Sequence, residues 1–103
     1  MRIEVLYFDG CPNYKLAIGR VHEVLAEEGI AAKVLETNVG SASIAQDLRF
    51  QGSPSIRVNG LDVEPAARSA GDWGMICQTY VFDGRREGLP SREMLRQAIR
   101  EAV

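Results

Sequence analysis

Phe8-Asp9-Gly10-Cys11-Pro12-Asn13-Tyr14 decides how this chain is read. Before it runs Arg2-Ile3-Glu4-Val5-Leu6-Tyr7-Phe8, whose second half is almost continuously apolar. Such a run fits a strand over 2–8 that is covered on both faces. After it, Ala17, Val21, Val24 and Leu25 recur on one face at helical spacing, which predicts a helix over 12–29. Pro12 suits a first helical turn, where its missing N–H has no helical partner, and Gly29 suits the end. Cys11 therefore falls at a helix N-terminus. There, unpaired N–H groups and the helix dipole favour the thiolate, the form that attacks disulfides and binds soft metals. A dithiol Cys-x-x-Cys motif would carry its second cysteine at position 14, which is Tyr14.

Outward from this segment, 32–37 reads as a second strand. A shorter helix follows over 42–50, with Ile44, Ala45, Leu48 and Phe50 inward and Gly52 closing it. Ser53-Pro54 leads into a third strand at 55–58, and Asn59-Gly60 is a strong turn signal. Residues 61–75, with Pro65, Gly71 and Gly74, read as an extended loop with a short helical turn at 65–68. A fourth strand is expected at 76–82. Since it begins some fifteen residues after Asn59-Gly60, that turn reads as opening the long loop rather than closing a hairpin. Ser91 caps a final helix at about 92–102, with Glu93 in its first turn and Leu95, Ala98, Ile99 and Ala102 on its buried stripe. The order is βαβαββα, and its first βαβ unit predicts two parallel strands with a right-handed crossover.

The 103 residues suit one α/β domain spanning 1–103. Hydrophobic content is 46% and charged content 25%, ordinary for a globular protein. Twelve basic and 14 acidic residues leave a net charge of −2 without a long basic run, so a nucleic-acid partner has no electrostatic support. No apolar stretch approaches the ~20 residues of a membrane helix. The chain opens directly into a strand pattern without a signal-peptide layout, so the cytoplasm is the expected location. Two cysteines, Cys11 and Cys77, do not make a disulfide scaffold. The oligomeric state is left open.

The strand–Cys–helix junction, the βαβαββα order and the Ser-Pro-Ser before the third strand resemble the thioredoxin-like superfamily. More narrowly, Phe-Asp-Gly-Cys-Pro-Asn, Gly-Ser-Pro-Ser-Ile-Arg-Val-Asn-Gly and Gly-Met-Ile-Cys-Gln-Thr-Tyr look like small bacterial thioredoxin-like proteins, sometimes labelled alkylmercury lyases. The resemblance covers most of the chain, apart from the long loop and the incomplete Cys-x-x-Cys motif. It implies a central mixed four-stranded sheet with helices on both faces. It also implies a cis Ser53–Pro54 bond beside the active-site cysteine.

The expected chemistry is single-cysteine thiol–disulfide exchange through Cys11. Its partner would be a disulfide-bearing protein or a small thiol such as glutathione, and no cofactor is implied. Pro12, Ser53, Pro54 and Trp73 would line the substrate groove, with Pro54 either structural or shaping the groove and Trp73 either a lid or a loop anchor. Cys77 is either core or a second thiol for Cys11, and two such thiols could also hold a soft metal or cleave an organomercurial. Asp9 is either a turn former or a proton donor and acceptor. Tyr14 is either a hydrogen-bond donor to the Cys11 sulfur or a half-buried helix residue. His22 lies one residue off the apolar stripe and reads as solvated. A third reading is a non-catalytic binding module, favoured by the missing second cysteine.

Overall fold

The structure, a computed structural model, describes residues 1–68 and 78–103. Its elements in chain order are β1 (Arg2–Tyr7), α1 (Tyr14–Glu28), β2 (Lys33–Asn38), α2 (Ala42–Leu48), β3 (Ser55–Val58), β4 (Leu61–Asp62), β5 (Tyr80–Phe82), β6 (Arg85–Glu87) and α3 (Arg92–Ala102). A single 3₁₀ turn, Pro65–Arg68, follows β4.

β1 to β4 form one mixed sheet in the order β2-β1-β3-β4. β1 and β2 run parallel, from Arg2 opposite Lys33 to Tyr7 opposite Asn38. β1 and β3 run antiparallel, with Leu6 opposite Ser55. The C-terminal end of β1 and the start of β3 therefore share one end of the sheet. That geometry brings the Cys11 turn and the Ser53-Pro54 loop to the same side.

Strand alternation explains how both faces are covered. Ile3 and Val5 of β1, with Ile56 and Val58 of β3, join Ala17, Val21, Val24 and Leu25 of α1 and Met94, Leu95, Ala98 and Ile99 of α3 in the larger core. Leu6 points the other way, into a smaller core with Val39, Ala45 of α2 and Phe50. Helices α1 and α3 thus cover one face and α2 the other. α1 ends at Gly29 in a left-handed conformation, and Ser91 caps α3 by accepting a hydrogen bond from the Met94 amide at 3.1 Å. Outside the core, Arg92, Arg96 and Arg100 of α3 pair with Glu23, Glu27 and Glu28 of α1.

Four expectations change. The fourth sheet strand is Leu61–Asp62, directly after Asn59-Gly60 and not at 76–82. Asn59 (φ +50°) and Gly60 (φ +89°) both take positive φ, the backbone of a two-residue hairpin, so Val58 faces Leu61 at once. Among the described residues, Tyr80–Phe82 pairs with Arg85–Glu87 in a separate two-stranded ribbon, while Ile76 and Cys77 lie outside the described residues. α1 begins at Tyr14 rather than at 12, because Pro12 and Asn13 complete a turn in front of it. α2 stops at Arg49, which adopts φ +54°, before reaching Gly52. Ile44, expected inward, is exposed (42%), whereas Phe50 is fully buried.

Candidate functional site

β1 delivers the chain to Asp9 and Gly10, both exposed, and Gly10 turns it at φ +90°. The Cys11 amide then donates to the Phe8 carbonyl at 3.2 Å, closing the turn. Cys11 consequently sits ahead of α1 rather than within its first turn. Its residue is 5% exposed, while Asp9, Gly10 and Pro12 around it are exposed. Asp9 accepts a hydrogen bond from the Asn38 side chain at 3.1 Å, which ties the turn to the end of β2. Tyr14 stacks on Tyr7 with ring centroids 4.1 Å apart and planes 6° from parallel. Desolvation, then Tyr14, Glu36 and Asp9, push the Tyr7 phenol above its ordinary range. His22 is exposed on α1.

Opposite this turn lies the loop Gly52-Ser53-Pro54-Ser55, buried throughout. The Ser53–Pro54 bond is cis. Gly52 takes φ +131°, a conformation that essentially only glycine adopts. The Ser53 hydroxyl is buried without a hydrogen-bond partner among the described residues.

The segment after residue 77 anchors this loop three times. The Gln78 amide donates to the Ser53 carbonyl at 3.2 Å. The Ser55 hydroxyl lies 2.7 Å from Gln78 Oε1. The Tyr80 hydroxyl donates to the Pro54 carbonyl. Burial, then the nearby Asp62 carboxylate, hold the Tyr80 phenol well above its ordinary range, with smaller contributions from Glu64 and Cys11. The Tyr80 hydroxyl ties the ribbon strand to the proline loop.

Asp62 lies behind the loop, 7% exposed. Its carboxylate accepts from the Glu64 amide at 2.9 Å and from Gln78 Nε2 at 3.2 Å on each oxygen. Burial raises Asp62 from 3.8 to about 6, against the lowering effect of those hydrogen bonds and of Arg57. Glu64, also buried, accepts from the Val81 amide at 3.0 Å.

The sequence reading missed Ser55, Asp62, Glu64, Gln78 and Tyr80. The available signal was Asn59-Gly60, which as a hairpin turn carries Asp62 back along β3 and inward. Of the residues it did single out, Cys11, Asp9, Pro12 and Tyr14 gather at one turn, and Ser53 and Pro54 at the loop across from it. Cys77 and Trp73 lie outside the described residues. Among the described residues, no group of three or more His, Cys, Asp and Glu side chains is arranged to hold a metal ion. No described helix is long and apolar enough to cross a membrane.

Comparison with protein-family models, with curated proteins and with solved structures returns no match.

Proposed function

We propose that this chain is a thioredoxin-like thiol protein that exchanges disulfides through Cys11. One observation carries the reading. The Cys11 turn and the cis Ser53-Pro54 loop occupy the same end of the sheet, with the Tyr80 hydroxyl bonded to the Pro54 carbonyl. In the proposed step the Cys11 thiolate attacks one sulfur of a disulfide. The S–S bond breaks, a mixed disulfide forms, and the other sulfur leaves as a thiolate. A second thiol then resolves the intermediate: glutathione, a thiol of the partner protein, or Cys77. The exchange needs no external oxidant, because one disulfide is consumed for each one formed.

The 5% exposure of Cys11 favours a second reading, a non-catalytic binding module in which this cysteine is a small core residue. A third, soft-metal or organomercurial handling by Cys11 with Cys77, requires both thiols on one atom.

Alkylation of Cys11 across pH, located by mass spectrometry in wild type and Cys77→Ser, separates the three. An inflection well below the free-cysteine value of about 8.5 supports the exchange reading. Slow modification at every pH overturns it in favour of the binding module. Hg(II) binding that is lost in both Cys11→Ser and Cys77→Ser, with no disulfide exchange, moves the function to metal handling.

A further inference from the structure

In the buried chain Asp62–Gln78–Ser55–Gly52, the Ser55 hydroxyl meets more acceptors than it has hydrogens. Gln78 gives its NH₂ to the Asp62 carboxylate at 3.2 Å and turns its carbonyl toward the Ser55 hydroxyl, 2.7 Å away. Ser55 Oγ also lies 2.5 Å from the Gly52 carbonyl. Ser55 has one hydrogen and faces two acceptors. Whichever acceptor it serves, the other oxygen meets lone pairs at hydrogen-bond distance.

One added proton and one amide flip resolve this. The two ends of a carboxamide have nearly the same shape, so Gln78 can exchange its oxygen and nitrogen in place. A proton from solvent on Asp62 then donates to the Gln78 carbonyl. The Gln78 NH₂ donates to Ser55 Oγ, and the Ser55 hydrogen is free for the Gly52 carbonyl. The Ser55 hydroxyl then faces one donor and one acceptor, and no bond between heavy atoms changes.

We propose that Asp62 is a positioning residue for the thiol site, with its protonation state transmitted through the hydrogen bonds of Gln78 and Ser55 to the Gly52–Ser55 loop, which shares the Cys11 end of the sheet. The inference rests on the exchange reading above. The ionised and protonated states present different hydrogen bonding at Ser55 and Gly52, and the next two residues of the loop are Ser53 and Pro54. The groups facing Asp62 are consistent with an exchangeable proton. Arg57 of β3 acts on it only through space, and the Arg68 guanidinium binds its backbone carbonyl at 2.7 Å rather than its carboxylate. Glu64 beside it adds negative charge, and the Tyr80 phenol stays neutral across the working pH range. The midpoint of Asp62, raised to about 6, lies where such a proton exchanges readily.

The test follows two signals across pH 4–9 in the full chain. One is the side-chain amide resonances of Gln78 by NMR, and the other is the alkylation rate of Cys11. Wild type, Asp62→Asn and Ser55→Ala are compared. Asp62→Asn keeps an oxygen acceptor for the Glu64 amide and places a permanent donor where the protonated acid has one, and so removes the titration by fixing the protonated arrangement. The expected result is that Gln78 titrates with the Asp62 midpoint and that the alkylation profile carries an inflection at the same pH. Both signals vanish in Asp62→Asn, whereas Ser55→Ala keeps the Gln78 titration and loses the alkylation inflection. A Gln78 amide that is flat across the Asp62 midpoint overturns the transmission. A titrating Gln78 with an identical Cys11 profile in all three proteins overturns the positioning role and leaves the exchange reading standing. A Cys11 that resists alkylation in wild type overturns both, since no reactive thiol is left to position.

Discussion

The Tyr80 hydroxyl donates a hydrogen bond to the Pro54 carbonyl, joining residues 26 positions apart in a fully buried setting. The bond links the ribbon β5–β6 to the loop at the end of the main sheet. Tyr80→Phe removes the donor and leaves a buried carbonyl unpaired, which costs about 1–3 kcal/mol. Denaturant unfolding of the two proteins measures this. Under the exchange reading the same change slows Cys11 alkylation, since the loop loses its anchor beside the thiol. An unchanged unfolding midpoint would show that the Pro54 carbonyl finds another donor.

Asp62 makes stability depend on pH in a direction opposite to the usual carboxylate. Its folded-state value, about 6, lies above 3.8, so the folded state holds the proton more tightly than the unfolded one. Its contribution is fully present below about pH 4 and is lost as pH rises through 6. A shift of this size corresponds to about 3 kcal/mol across that window. Asp62→Asn should therefore be more stable than wild type at pH 7–8, with the advantage shrinking as pH falls toward 4. Glu28, held below its ordinary range chiefly by its Arg100 hydrogen bond, runs the other way in both proteins and cancels in the difference. Unfolding curves at several pH values test the sign.

Glu27 of α1 accepts from Arg92 at 2.7 Å and from Arg96 at 3.0 Å, with its side chain 44% exposed. Exposed pairs of this kind contribute little and are screened by salt. Glu27→Gln is expected to lower stability by less than about 1 kcal/mol in dilute buffer, and by nothing measurable in 1 M salt. A salt-independent loss would point to packing between the helices rather than charge.

Phe50 is fully buried in the smaller core, where Phe8 meets its ring edge-to-face at 6.4 Å. It follows the left-handed Arg49 and holds α2 to the face of β1 that carries Leu6. Phe50→Ala should cost about 3–5 kcal/mol, read from the thermal or denaturant midpoint. A loss below that range would mean that Val39, Ala45 and Leu48 close the space.

Gly60 sits at φ +89° with open space where a Cβ would point. Gly60→Ala therefore carries only the backbone cost, about 1–2 kcal/mol. A markedly larger loss of stability would indicate that the β3–β4 hairpin itself, and with it Asp62, had come undone.

Much of this molecule is legible in the chain because it depends on near neighbours. Apolar residues at helical spacing located α1 and α3, Ser91 announced the cap it makes, and Ser55–Val58 forms the strand its alternation indicates. Cys11 could be singled out because it sits where a strand pattern meets a helical one, and Pro54 through the resemblance that Ser-Pro-Ser carries. The strand at Leu61–Asp62 could not, since two residues carry no periodicity and only the backbone of Asn59-Gly60 dictates the return. Read along the chain, Asp62 is an ordinary polar residue after a turn, and Gln78 and Tyr80 belong to a strand. Only the fold buries Asp62 against Gln78, 16 positions on, and sets the Tyr80 hydroxyl against Pro54. Burial and long-range hydrogen bonding arise when distant segments are packed together, so the local elements are written in the sequence and the buried polar network is decided by the tertiary structure.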